Sequence, residues 1–435
     1  MSDPRSFLVS FLACCATAIG TSALAAAPAT PLPPAGSPYG DGGVSAFYET
    51  DGVTLPAPGT MIRTEELNTP HLPDGTARAI RTLYSATDGM AEGTPVAVSG
   101  QILLPPGKVP RHGWPIIAWE HGTTGVADVC APSWRGYSSR DRAYLAHWLA
   151  AGFAIVATDY QGLGTKGPHP YLLYRPEGYS VLAGLQAALK QFPTLLRNRI
   201  VLVGQSQGSG AALGAAWLAP AHAPELDILG VVATGVVADF HVPANAAHNP
   251  IPAVYTDPTQ MDSAFAMLRV EGTDQSLNPT RDASTVLTPT GRDYARQAHM
   301  SCLHGLFDYA AKKHISSPAL FNAKLADYEK DHDAAFQIPD GHISVPVFVG
   351  TGLADGEAGT AGQYNAVAAM CDAGTTVSWH EYAGLTHNGA VNVSVRDSLP
   401  FVKRLMKGKH IASTCATLAL PGPIQQATPG IPWNN

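Results

Sequence analysis

A mostly parallel sheet flanked by helices on both faces, with a mainly helical cap inserted late in the chain, is the α/β fold class this sequence predicts. Three observations predict it. Short apolar runs alternate with helix-like stretches along most of the chain, the pattern of a sheet buried on both sides. A Gly-x-Ser-x-Gly pentapeptide stands between one such run and a helix of small residues. Residues 241–340 carry helical patterning with little strand signal, so they belong outside the sheet.

The chain has 435 residues, 45% of them apolar, enough for one elaborated fold with a sizeable core. Only 14% are charged, and the net charge is −7 with no Lys/Arg block. Nucleic-acid binding is excluded as an expectation, because phosphate counterion release needs clustered basic charge. The 36 Pro and 43 Gly punctuate segments and rule out a coiled coil.

Residues 1–25 read as a signal peptide. Positions 7–24 carry no charge, and Ala23-Leu24-Ala25 has the small-residue cleavage pattern. A membrane anchor is the rival reading, against which stand the stretch's Ala/Ser/Thr/Gly content and its length near the lower limit for a span. Cleavage near Ala25 implies a secreted or periplasmic protein. Residues 26–60, rich in Pro, Ala and Gly, are expected to be an extended lead-in.

A core over 61–240 and 341–435 follows. Residues 78–85 and 96–104 predict an antiparallel pair. Strands are then expected at 115–119, 153–158, 200–203, 229–237, 345–349 and 377–382, with helices at 141–151, 179–191 and 207–218. Within the cap, helices are expected at 263–270, 291–304 and 318–336. Its aromatic and aliphatic residues, among them Phe265, Leu268 and Phe307, are too many for a disordered insertion.

The pentapeptide Gly204-Gln205-Ser206-Gln207-Gly208 lies where a sharp strand-to-helix turn would expose Ser206 Oγ. A serine hydroxyl needs a base to become a nucleophile, and the base needs a carboxylate to orient it. Asp355 follows strand 345–349, and His387 follows strand 377–382 in a Gly-flanked loop, so both stand at one sheet edge. Glu357 is the nearby rival for the acid; Asp340 lies at the wrong end of its strand. Negative charge on a substrate carbonyl oxygen calls for two backbone N–H donors. Gln207 is one expected donor. Thr123, in His121-Gly122-Thr123-Thr124-Gly125, is the other, with Thr124 as its alternative. Asp159–Gly164 either shapes the substrate entrance or forms a turn beside it. Without the signal segment four cysteines remain, Cys130, Cys302, Cys371 and Cys415, whose spacing leaves three disulfide pairings open. His299, Cys302 and His304 lack the second cluster of a zinc site.

Together these residues resemble the α/β-hydrolases, and more narrowly the secretory lipases. The likeness runs through His121–Gly125 into Cys130-Ala131-Pro132-Ser133, then Asp159–Gly164, His169-Pro170-Tyr171, the pentapeptide, Asp355 and His387. It covers roughly residues 75–415. The resemblance implies a helical cap over the site, ester hydrolysis through an acyl-enzyme, and disulfides Cys130–Cys302 and Cys371–Cys415. The expectation is a serine ester hydrolase acting on lipid or other hydrophobic esters, without metal or organic cofactor. It would act as a monomer, in transient contact with a lipid interface. A peptidase or acyltransferase on the same fold would share the triad, and a binding protein on a hydrolase scaffold would usually lack a member of it.

Overall fold

The computed structural model describes residues 40–91, 93–252, 260–322 and 332–435, all within one compact unit spanning 31–435. The expected signal peptide, the first part of the lead-in and residues 323–331 of the expected helix 318–336 lie outside the described residues; of that helix's described ends, 318–322 form a short turn and a bridge instead, and Asp333–Phe336 is helical.

Nine strands form the main sheet: β1 (Thr60–Glu66), β2 (Arg78–Thr87), β3 (Pro95–Leu104), β4 (Trp114–Glu120), β5 (Ala154–Thr158), β6 (Leu196–Gln205), β7 (Ile228–Thr234), β10 (Val347–Gly352) and β11 (Val377–Tyr382). Their spatial order is β1-β2-β3-β5-β4-β6-β7-β10-β11. The first three pair antiparallel, as does β3 with β5; every later pairing is parallel. Alternate side chains of the central strands enter separate cores. Ile116, Ala118, Ile200, Leu202, Val347 and Val349 face helices Tyr174–Gln191, Gln207–His222 and Thr360–Asp372. Ile117, Trp119, Val201, Val203 and Phe348 face helices Ser139–Ala150 and Val395–Met406. Burial on both faces explains runs with no polar alternation. Each fully buried Val or Ile contributes about 1.5–3 kcal/mol.

The lead-in is not simply extended. Phe47 and Tyr48 are buried, the Arg81 guanidinium lies 5.6 Å and 5.5 Å from their ring centres, and Tyr48 Oη shares a 2.8 Å hydrogen bond with Ser133 Oγ. Strand β1, which the sequence reading did not separate, pairs with β2 at the sheet edge.

Between β7 and β10 the chain leaves the sheet. Two short strands, β8 (Asp239–Phe240) and β9 (Gln337–Ile338), pair in parallel at the neck of this excursion. Helices Gln260–Leu268, Pro289–Ala298 and Leu303–Lys313 pack around Met267, Leu268, Tyr294, Ala298, Leu306 and Leu320. The expected single helix over 291–304 is broken between Ala298 and Leu303. Cys302, bonded there to Cys130 with a Cα separation of 5.4 Å, caps the next helix, and Leu303 N–H donates to Thr124 O at 2.8 Å. A tertiary tie thus overrides local helical periodicity. Cys371 is bonded to Cys415, again with a Cα separation of 5.4 Å.

Candidate active site

Strand β6 ends at Gln205 and helix Gln207–His222 begins two residues later, so Ser206 must turn the chain alone. It does so at φ 56° and ψ −124°, a conformation unfavourable for a residue with a side chain. The residues two positions before and after it must be glycine. A Cβ at Gly204 would lie 2.0 Å from Gly208 O, and one at Gly208 would lie 1.9 Å from Glu120 O. Ser206 N–H donates to Thr234 O at 3.0 Å, and Ser206 O accepts from Ser209 Oγ at 2.6 Å, which fixes the turn to β7 and to its own helix. The helix N-terminus adds positive potential beside Ser206.

Strands β10 and β11 run in parallel register, Gly352 opposite Tyr382, so their following loops leave the same edge. One loop carries Asp355 and the other His387. Asp355 Oδ2 lies 2.8 Å from His387 Nδ1 and also accepts from Gln363 Nε2 at 2.8 Å. Asp355 Oδ1 accepts from the N–H groups of Glu357 and Ala358 at 2.9 and 3.0 Å. Burial would raise this carboxyl, but the His387 charge and hydrogen bond, with the two amides, hold it below the ordinary aspartate value. Burial works the other way on His387. The charges of Asp355 and Glu357 and the Asp355 hydrogen bond outweigh it and raise the imidazolium above the ordinary histidine value, with Arg140 opposing. Gly235, at φ 54°, faces the ring, and a Cβ there would lie 2.6 Å from His387 Cε1. Of the rivals to Asp355, Glu357 accepts from Asn388 Nδ2 at 3.2 Å, and Asp340 stays in the loop before β10, accepting from His342 N–H at 2.8 Å.

The loop after β4 brings Thr123 to the same edge of the sheet. His121 O accepts from Tyr160 Oη at 2.9 Å, and Thr123 Oγ1 shares a 2.9 Å hydrogen bond with Tyr171 Oη. Among the described residues, no hydrogen bond takes up the backbone N–H of Thr123 or of Gln207. The alternative residue, Thr124, has a buried Oγ1 with no partner among the described residues, while its carbonyl binds the Leu303 amide. Behind Gln207, its side-chain Nε2 donates to Glu177 Oε1 at 2.7 Å and lies 2.9 Å from His169 Nε2. Glu177, also bound by Leu172 N–H at 3.0 Å, is fully enclosed, and burial pushes its carboxyl up to about 8.

Asp159, which follows β5, is buried. Its carboxylate accepts from Ser133 N–H at 2.9 Å, Ser99 Oγ at 2.6 Å and Ser133 Oγ, which fastens the Cys130–Ser133 segment to β3 and β5. His299 pairs with Glu271 at 2.8 Å and Cys302 is spent in a disulfide, so the sulfur of that group is not free for a metal.

Three residues at the site had no signal that sequence reasoning recognised. Gln363 reaches Asp355 from the next helix. Gln205 and Arg140 meet beside His387: Gln205 Nε2 lies 2.9 Å from His387 Nε2, and Arg140 Nη2 donates to Gln205 Oε1 at 2.9 Å. Among the described residues, no hydrogen bond joins Ser206 Oγ to His387.

The strand order and the helices on both faces give the α/β-hydrolase fold. The secretory lipase family model matches residues 138–413, and the chain belongs to that family. A probable inactive lipase of Mycobacterium tuberculosis is 28% identical over 227 residues, 48% of this chain and 47% of that protein. Lipase A of Moesziomyces aphidis is 27% identical over 233 residues, 49% of this chain and 47% of that protein. The matches thus span about half the length of these curated relatives. Candida antarctica lipase A in its closed state superposes with a TM-score of 0.65 at 18% identity, covering 89% of this chain and 92% of that one. The rice cell wall degrading esterase LipA of Xanthomonas oryzae superposes at 0.62 and 16% identity, covering 82% of this chain and all of the other.

Proposed function

We propose that the chain is an exported serine ester hydrolase of the lipase/esterase type, acting on lipid or other hydrophobic carboxylic esters. The observation that carries this reading is the convergence of Ser206, Asp355 and His387 at one sheet edge, with the Asp355–His387 hydrogen bond already formed.

In this reading Ser206 Oγ attacks the ester carbonyl carbon while His387 Nε2 takes its proton. Asp355 keeps the other ring proton on Nδ1 and stabilises the imidazolium. The amides of Gln207 and Thr123 receive the oxyanion. His387 passes the proton to the alcohol oxygen as the C–O bond breaks, which leaves an acyl-serine. A water molecule, deprotonated by His387, then releases the acid and restores Ser206. The two disulfides fit an oxidising compartment outside the cytoplasm.

Initial rates on p-nitrophenyl esters from two to sixteen carbons, beside Ser206→Ala, test the proposal. Hydrolysis abolished by the substitution supports it, and the chain-length optimum separates lipase from short-chain esterase. Activity retained in Ser206→Ala refutes the nucleophile. The relative named a probable inactive lipase favours one second reading, a non-catalytic protein, and folded wild-type protein inert on every ester would favour it here too.

A further inference from the structure

Gln205, the residue before the proposed nucleophile, is 1% exposed, yet both ends of its carboxamide are committed. His387 Nδ1 faces the Asp355 carboxylate at 2.8 Å and so carries the ring proton; Nε2 is left with a lone pair. Only the NH₂ end of Gln205 can approach such an atom, which it does at 2.9 Å. The carbonyl end meets the Arg140 guanidinium at 2.9 Å, a group that only donates. The amide orientation is therefore fixed by chemistry at both ends. Space for it comes from the loop after β4, where a Cβ on Gly122 would lie 2.4 Å from Gln205 Oε1.

Arg140 is itself held. Asp141 Oδ1 accepts from its Nε at 2.9 Å, and its Nη1 donates to Asn388 Oδ1, on the residue after His387. The guanidinium thus grips both the strand end before Ser206 and the loop that carries His387. Nε2 of an imidazole has one lone pair in the ring plane. While Gln205 occupies it, that atom has none left for the Ser206 hydroxyl.

We propose that Arg140 and Gln205 are a positioning pair that holds His387 with Nε2 unprotonated, and that the ring exchanges Gln205 for Ser206 Oγ when the base acts. The exchange step rests on the reading of His387 as the base of an ester hydrolase; the hold on Nε2 does not. The charged groups facing the ring are Asp355, Glu357 and Arg140. The first two favour the imidazolium, whereas Arg140 and the Gln205 hydrogen bond favour the neutral ring. Removing either member of the pair must therefore make His387 easier to protonate.

The test titrates the His387 ring by ¹H–¹⁵N NMR in the full exported chain and follows Ser206 labelling by a fluorophosphonate across pH. Gln205→Met and Arg140→Met are each expected to move the His387 midpoint upward. Labelling below the midpoint should fall about three- to tenfold, the effect of losing one hydrogen bond. Gln205→Glu, whose carboxylate accepts from the imidazolium, should move the midpoint further up, and Arg140→Lys should restore part of the change caused by Arg140→Met. An unchanged midpoint in folded Gln205→Met protein overturns the proposal, whatever becomes of the arginine variant. A shifted midpoint with no Ser206 labelling in the wild type supports the hold on Nε2 and rejects the hydrolase reading instead.

Discussion

Gly235 and His387 share a space that no side chain at 235 can enter. The glycine sits at φ 54°, and an added Cβ would lie 2.6 Å from the imidazole Cε1. Gly235→Ala must therefore push the ring away from its present place. Misplacing a catalytic group by about 1 Å costs on the order of 100-fold in rate. The left-handed backbone adds a stability loss of about 1–2 kcal/mol. Ester kinetics beside a denaturant titration check both, and activity should fall far more than folding does.

Asp355 and Glu357 differ in what they touch. Asp355→Asn removes the acceptor that fixes the His387 tautomer, and kcat should drop by about four orders of magnitude. Glu357→Gln leaves the Asp355–His387 hydrogen bond in place and should keep most of the plateau rate. Equal losses in the two variants would reject Asp355 as the orienting acid.

If His387 is the base of the proposed mechanism, activity depends on its neutral form. The neighbouring carboxylates raise its imidazolium above the ordinary value of 6.5. Rate should therefore fall as pH drops through a midpoint above 6.5. Glu357→Gln, which deletes one of the charges that raise it, should move this limb to lower pH. A pH–kcat/KM profile of both proteins measures the displacement.

Glu177 predicts a pH dependence of stability. Burial holds its carboxyl protonated up to about 8, whereas in the unfolded chain it ionises near the ordinary 4.5. Between these values the folded state binds the extra proton, so this group's contribution to stability falls as pH rises from 4.5 and levels off above 8. Glu177→Gln mimics the protonated acid and should flatten that decline. Thermal midpoints at pH 5 and pH 8 should converge in the variant relative to the wild type.

Ser206→Gly should stabilise the fold while abolishing the proposed activity. The serine backbone at φ 56° and ψ −124° is strained by about 1–3 kcal/mol, and glycine relieves most of it. A higher thermal midpoint in the inactive variant checks this.

What could be read in the sequence was what local order encodes. Apolar runs marked the central strands because both of their faces are covered. The stretch around Ser206 could be placed because two glycines and a strand end sit within five residues. Gln205 and Arg140 could not be paired, since 65 residues separate them and only the fold brings them together. The break between Ala298 and Leu303 was hidden for a related reason: a distant cysteine and the Thr124 carbonyl impose it against a continuous helical pattern. Strand β1 escaped because an edge strand with Arg63, Thr64, Glu65 and Glu66 shows no apolar run.

The backbone at Ser206 also has a meaning on the timescale of descent. At this position, mutational drift toward the residue that the main chain prefers would run downhill in folding energy. A serine there persists only while something outside the folded state selects for it. Its presence in a lineage is then a record of use, and the first copy released from use should lose it without penalty to its shape.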